Sequence, residues 1–305
     1  MKSFRELTRA ARHTLLYRLL GAAFALVPKI PRSFGLRLFG MLGTIAFMVP
    51  HGDKRRTIDH LRFIFGSSWT EAKIRRTARG VYRSLGMNAF DAIKLRAASD
   101  AGLEGIVRTD DQADLRAAYA EGRGIIAITG HVGCFEMLLH YFSRHGITCF
   151  AIGRSMFDAR IEALVRGLRS GPGIIYLNRD GSGRDIIRYL RQGMMFGALI
   201  DQHIRAEALQ VSFLGKPAFT VSGPVKTAMR LKIPAFVITT ARQPDSTQYI
   251  YISKRLDLAD TGDFEKDLYH NVQMANDRIG ATIMKFPEQW VWMHRRWREH
   301  EDIPH

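Results

Sequence analysis

The sequence predicts an α/β fold: a largely parallel mixed sheet flanked by helices, preceded by an N-terminal helical membrane-associated segment. Three observations lead there. From about residue 102, short β-type runs alternate with helical segments. Several of those runs are continuously apolar, as strands covered on both faces are. Two apolar stretches bordered by cations open the chain.

The N-terminus comes first. Lys2, Arg5, Arg9 and Arg12 precede an apolar stretch, Leu15 to Val27, interrupted only by Arg18. A second stretch runs from Leu36 to Val49 and carries Arg37, with Pro28-Lys29-Ile30-Pro31-Arg32 between the two. A spanning helix needs about 20 apolar residues, which neither stretch supplies. Ala23-Phe24-Ala25 has the small residues of a signal-peptide cleavage site, but apolar sequence resumes beyond it. A pair of buried core helices is the structural alternative. The reading adopted is a membrane-embedded or interfacial hairpin, with Arg18, Lys29, Arg32 and Arg37 reaching the headgroups and the basic N-terminus cytoplasmic. The chain divides into this segment (1–50), a helical lead-in (51–101) and an α/β core (102–305).

In the lead-in, Lys54-Arg55-Arg56 precedes Ile58, Leu61 and Ile64, and Lys73, Arg75, Arg76 and Arg79 decorate the next helix. These cations read as a solvated face or as a contact for anionic headgroups. In the core, strands are expected at 124–129, 148–153, 173–177, 195–200, 235–240 and 248–253. Helices are expected at 134–144, 158–169, 182–192, 222–231 and 264–285, the third capped by Ser182 and closed by Gly193. Phe213 to Gly223 reads as a loop into a helix that starts at Ser222 and Pro224. The terminal segment puts Trp290, Met293 or His294, and Trp297 on one helical face, with core packing as the role of the tryptophans. Arg295, Arg296 and Arg298 are free for a phosphorylated headgroup or an acidic carrier.

Composition narrows the function classes. With 46% apolar and 24% charged residues, the chain of 305 is an ordinary folded protein rather than a disordered one. Its formal charge of +16 points to an anionic partner: nucleic acid, anionic lipid or an acidic carrier protein. No nucleic-acid motif accompanies that charge, so nucleic acid is not expected. Two cysteines, Cys134 and Cys149, make neither a disulfide framework nor a zinc site, and both read as buried small hydrophobes in a reducing compartment.

Ligands in open α/β sheets bind beyond the carboxyl ends of strands, so the residues after each strand matter. They are Gly130-His131-Val132-Gly133-Cys134-Phe135-Glu136, then Arg154, then Asn178-Arg179-Asp180, then Asp201-Gln202-His203. On one regular helix, residues five apart diverge by about 140°. His131 and Glu136 can cooperate if His131 lies in the turn and Glu136 in the first helical turn, with Gly130 and Gly133 supplying the tight geometry. Such a pair suits acyl transfer. His131 takes the proton of an acceptor hydroxyl, Glu136 holds the other ring nitrogen, and N–H groups or Arg154 stabilise the oxyanion. Lys216 is placed near an acceptor phosphate.

These residues resemble a family. Gly130 to Glu136 is similar to the H-x4-D/E block of the glycerolipid acyltransferase superfamily, in the G-H-x-G-x-x-E form of the bacterial lipid A biosynthesis late acyltransferases of the lauroyl/myristoyl type. Four further segments match in order: Ala151-Ile152-Gly153-Arg154, Asp201-Gln202, Phe213 to Gly223 and Pro287 to Trp297. The resemblance implies a glycerolipid acyltransferase-like fold and a catalytic His131 and Glu136. It implies substrate-binding roles for Arg154, Asp201 and Gln202, acyl carrier protein or acyl-coenzyme A as donor, and a lipid A precursor or related anionic glycolipid as acceptor. It implies no metal or other cofactor, and a place on the cytoplasmic face of a bacterial inner membrane. Two departures bear on the acceptor. Cys134-Phe135 stands where relatives often have Asn-Trp, and His203 has no counterpart. Relatives also acylate phosphatidylinositol mannosides, and that acceptor stays open. The rival readings are a metal-dependent hydrolase using His131, Glu136, His140, Asp201 and His203, and a non-catalytic lipid-binding relative.

Overall fold

A computed structural model describes residues 4–178, 183–203 and 208–298. The side chains of Lys2, Arg5, Arg9 and Arg12, together with Arg179, Asp180 and the expected cap Ser182, lie outside the described residues.

The strands are β1 (Val107–Thr109), β2 (Ile125–Thr129), β3 (Cys149–Gly153), β4 (Ile174–Asn178), β5 (Met195–Leu199), β6 (Ala208–Phe213), β7 (Lys216–Val221), β8 (Ala235–Arg242) and β9 (Gln248–Ile252). Seven form one mixed sheet in the order β1-β9-β8-β2-β5-β3-β4, in which only the β8–β9 pair is antiparallel. The expected apolar runs are its central strands, and β2 and β8 are buried along their whole length. Side chains alternate between two cores. Ile126, Ile128, Phe150, Phe196 and Ala198 enter one, and Ala127, Cys149, Met195 and Phe236 enter the other.

The helices are α1 (Phe4–Leu26), α2 (Arg32–Met48), α3 (Gly52–Phe65), α4 (Glu71–Arg96), α5 (Asp100–Glu104), α6 (Ala113–Ala120), α7 (Met137–Arg144), α8 (Ala159–Arg169), α9 (Gly183–Arg191), α10 (Gly223–Leu231) and α11 (Phe264–Lys285). The lead-in helices share the body's core, with Ile58, Leu61, Ile74 and Val81 in one cluster with Ile279 and Trp290.

Two stretches depart from expectation. The segment read as a loop into a helix contains β7, which pairs with β6 as an antiparallel hairpin closed by Phe213 and Lys216. Its two turn residues, Leu214 and Gly215, both have positive φ (53° and 79°), the twist that a two-residue hairpin needs. A leucine there gives no turn signal in the sequence. The terminal segment is a 3-10 turn, Pro287–Gln289, followed by irregular backbone rather than a helix. Its backbone is held by pairing instead: Val132 bridges Trp290, and the Gln289 side-chain amide bonds both the N–H and the carbonyl of Arg242 at 2.8 Å. Trp290, Trp292 and Trp297 are nonetheless all buried.

At the N-terminus, α1 meets the body through His13 against Phe157, and through Thr14 and Tyr17 against Arg160. The opposite face carries Leu15, Leu19 and Leu26, spaced to share one helical stripe and all exposed. In α2, Leu36 is buried toward Phe90 and Met87 of α4, while Met41, Leu42, Ile45 and Met48 stay exposed. No single described helix is long and apolar enough to cross a membrane; α2 and α3 reach that measure together but are bent by 91° at their break. Arg32 does not reach outward as expected. Its guanidinium is bidentate on Asp91 at 2.8–2.9 Å and bonds the Ser246 carbonyl.

His60 of α3 is buried, donates from Nδ1 to the Trp292 carbonyl at 2.8 Å and stands edge-on to Trp297. Burial pushes its pKa from 6.5 down to about 4. The unfolded chain therefore takes up the proton first. The stability is complete above pH 6.5 and is lost as pH falls toward 4; this group contributes up to about 3 kcal/mol of that loss. Urea unfolding at pH 7 and pH 4.5 should show a smaller pH effect in His60→Asn than in the native chain. Equal pH sensitivity in the two proteins would remove His60 as the cause.

Candidate active site

Parallel pairing sets Thr129 of β2 beside Leu199 of β5. Two residues beyond each stand His131 and Asp201, so adjacent strand ends deliver them to one point. The Asp201 carboxylate is fully buried and accepts three donors: His131 Nδ1 at 2.7 Å, the His131 backbone N–H at 2.6 Å and the Trp290 indole N–H at 2.7 Å. Burial alone would raise its pKa, but the His131 ring and these donors hold it down at about 2. An ionised carboxylate only accepts, so Nδ1 carries the proton and Nε2 is left with its lone pair. Phe135 stands edge-on to the ring, centroids 4.8 Å apart.

Two glycines make this turn possible. A Cβ on Gly130 would stand 3.0 Å from Asp201 Oδ2 and 2.8 Å from Ile279. Gly133 has φ of 61°, and a Cβ there would overlap the Thr240 carbonyl. Both backbone groups of Gly133 are tied down. Its N–H donates to the Gln289 carbonyl at 2.9 Å, and its carbonyl accepts from Asn88 Nδ2 at 2.9 Å. Asn88 in turn accepts from Arg242, whose guanidinium also bonds the buried Asp91 at 2.6 Å. Gly133→Ala combines left-handed strain with a clash against fixed backbone, and should cost about 3 kcal/mol or more. Chemical unfolding of the two proteins checks this; a loss below about 1 kcal/mol would mean the turn relaxes freely.

The expected bond between Glu136 and the His131 ring is not what this geometry has. The ring nitrogen belongs to Asp201, and Glu136, at the residue before α7, instead holds Arg169 of α8. That pair is bidentate, with Arg169 Nε 3.0 and 3.1 Å from the two carboxylate oxygens and Nη1 on the Tyr176 hydroxyl at 2.8 Å. Burial works against the Arg169 charge, but Glu136 holds its pKa above the usual range for arginine.

His131, Glu136, Arg154, Arg169, Gln202, His203 and His294 line one cavity of about 760 Å³. Its wall under α7 is apolar, with Ala127, Leu138, Leu139, Phe142, Met195 and Ile238. His203 donates its backbone N–H to His294 Nε2 at 3.0 Å, and burial pushes the His294 pKa down to about 4, so that ring is neutral at pH 7. Of the residues expected to bind substrate, Arg154 and Gln202 line the cavity, whereas Asp201 is buried behind His131 and does not line it; sequence reasoning did not single out Arg169, Tyr176, Lys226 or Arg230. No local motif flags those four, because they come from α8, β4 and α10, far along the chain from His131.

Two expectations, and one residue of the rival hydrolase reading, fall away from the site. Lys216 sits at the β6–β7 turn with its ammonium 4.9 Å from the Phe63 ring centroid, and it does not line the cavity. Arg296 is fully buried against Phe213 and bonds Thr220, so it is not open to a headgroup. His140 bonds the Leu168 carbonyl at 2.6 Å and is not part of the lining. Among the described residues no group of three or more His, Cys, Asp or Glu side chains could hold a metal ion. Burial raises the Cys134 thiol well above its ordinary pKa, so it stays protonated.

Against known families, residues 1–299 match the one described as bacterial lipid A biosynthesis acyltransferase. A comparison with curated proteins gives no match.

Proposed function

The chain belongs to the bacterial lipid A biosynthesis acyltransferases and is an acyltransferase; from that premise we propose that His131, oriented by Asp201, is the general base for transfer of a fatty acyl chain from a thioester to a hydroxyl of a lipid A precursor. The observation that carries this reading is the His131–Asp201 pair opening onto a cavity with an apolar wall. Nε2 takes the proton of the acceptor hydroxyl as its oxygen attacks the thioester carbonyl. The tetrahedral intermediate collapses, the carbon–sulfur bond breaks, and the leaving thiolate takes the proton back from the imidazolium. Ester and thiol are the products. Arg154 is suited to the oxyanion and Gln202 to the polar part of the substrate, while Glu136 acts by holding Arg169 in the wall. The acyl chain lies along the apolar wall under α7.

The donor is acyl carrier protein or acyl-coenzyme A. The enzyme sits on the cytoplasmic face of the inner membrane. The exposed stripe Leu15, Leu19 and Leu26, with Arg18 beside it, and the surplus of +16 support an interfacial seat on an anionic bilayer.

The test is purified protein in phospholipid vesicles, given a phosphorylated glucosamine disaccharide lipid with either myristoyl carrier protein or myristoyl-coenzyme A. Mass spectrometry should show one added acyl chain with at least one donor. Release of free fatty acid without a new ester would sink the transfer reading in favour of a hydrolase.

A further inference from the structure

The cavity has a second, cationic wall. On α10, Val225 and Ala228 are buried in the core, while Gly223, Lys226, Thr227 and Arg230 line the cavity. Those four fall at i, i+3, i+4 and i+7, one helical face. Polar residues on a face turned away from the core ordinarily meet bulk solvent, yet this face meets a cavity that also holds His131. Arg154 lines the same space from the end of β3. Among the described residues, four cations and a single carboxylate line the cavity, and that carboxylate, Glu136, is taken up by Arg169. Among the described residues, Arg154, Lys226 and Arg230 therefore line it without a further carboxylate of that lining beside them. Arg230 also borders a second cavity, where its guanidinium carbon is stacked on the Phe264 ring, 5.3 Å from the centroid.

We propose that Lys226 and Arg230 of α10 form a phosphate-binding site in the cavity that also holds His131. A fixed surplus of positive charge in a partly enclosed space favours an anion there more strongly than the same charge in open water. Lysine supplies a point charge and arginine a fork of donors, the two groups that phosphate oxygens accept from. The inference rests on the acyltransferase reading for the identity of the ligand, and both substrates of that reaction can bring a phosphate. One is on the disaccharide of the acceptor lipid. The other is in the phosphopantetheine arm of the donor. The site ranks substrates by that group, while the apolar wall under α7 takes the chain.

Equilibrium binding tests it without any need for turnover. The probes are a phosphorylated glucosamine disaccharide lipid against its dephosphorylated form in mixed micelles, and phosphopantetheine against pantetheine. The proteins are native, Lys226→Gln, Arg230→Gln and the double variant, all on half-buried or exposed residues. Each single change should weaken binding of the phosphorylated probe about tenfold and leave its phosphate-free partner unchanged. Lys226→Arg should restore binding. Loss confined to the lipid pair assigns the acceptor phosphate, and loss confined to the pantetheine pair assigns the donor phosphate. A preference for phosphate that survives the double variant, or no preference in the native protein, overturns the proposal. If the native protein binds the phosphorylated lipid in this pattern but transfers no acyl chain, the catalytic reading fails and the site stands.

Discussion

Asp201→Asn is expected to slow acyl transfer about 1,000-fold while leaving the fold intact. The native carboxylate accepts from Nδ1 of His131 and so keeps Nε2 unprotonated. An amide can turn its NH2 toward the ring and bind the tautomer that has its lone pair on Nδ1. Nε2 would then carry the proton and could not act as a base. Trp290 and the His131 N–H still find the amide oxygen, so melting should shift by only a few degrees. The measurement is the initial rate at saturating donor, with Glu136→Gln run alongside. Glu136 bonds Arg169 and not the ring, so its loss should act on binding of substrate more than on the chemical step. Should Glu136→Gln abolish the rate while Asp201→Asn stays within tenfold of native, the roles assigned to the two carboxylates are reversed.

His131→Ala is expected to remove turnover altogether, a loss on the order of 10,000-fold. The ring is partly exposed at the cavity, with a side-chain exposure of 19%, so deleting it opens little core. Asp201 keeps two of its three donors. Circular dichroism and melting should therefore match the native protein, and phosphorylated lipid should still bind. A variant that retains more than about a hundredth of the native rate would show that the base lies elsewhere.

Much of this architecture can be read from the chain. Continuous apolar runs marked the central strands because both faces of β2 and β8 are covered. The glycines around His131 marked a turn because φ of 61° at Gly133 admits little else. The partner of His131 was harder to see. Glu136 is five residues away and Asp201 seventy, and local spacing favours the nearer one. The register of β2 against β5 decides the matter, and strand order is not a local property. Residues 131 and 201 each follow a paired strand by two positions, a coincidence visible only once β5 is known to neighbour β2. The cationic wall escaped notice for the same reason. Lys226 and Arg230 look like a solvated helix face until α10 is set against the carboxyl end of the sheet. Leu214 hid the hairpin because turn residues are usually glycine or asparagine, not leucine.

The pairing of Gln289 and Trp290 with the turn at residues 132–133 has a consequence for how the enzyme is made. A chain still on the ribosome that has reached residue 250 owns His131 and Asp201, but neither the indole that completes the Asp201 cradle nor the carbonyl that pins Gly133. Until these late residues arrive, the turn lacks both bonds. Unfinished polypeptides, and products shortened by proteolysis before residue 289, would lack both bonds and so would not hold His131 and Asp201 as the full chain does.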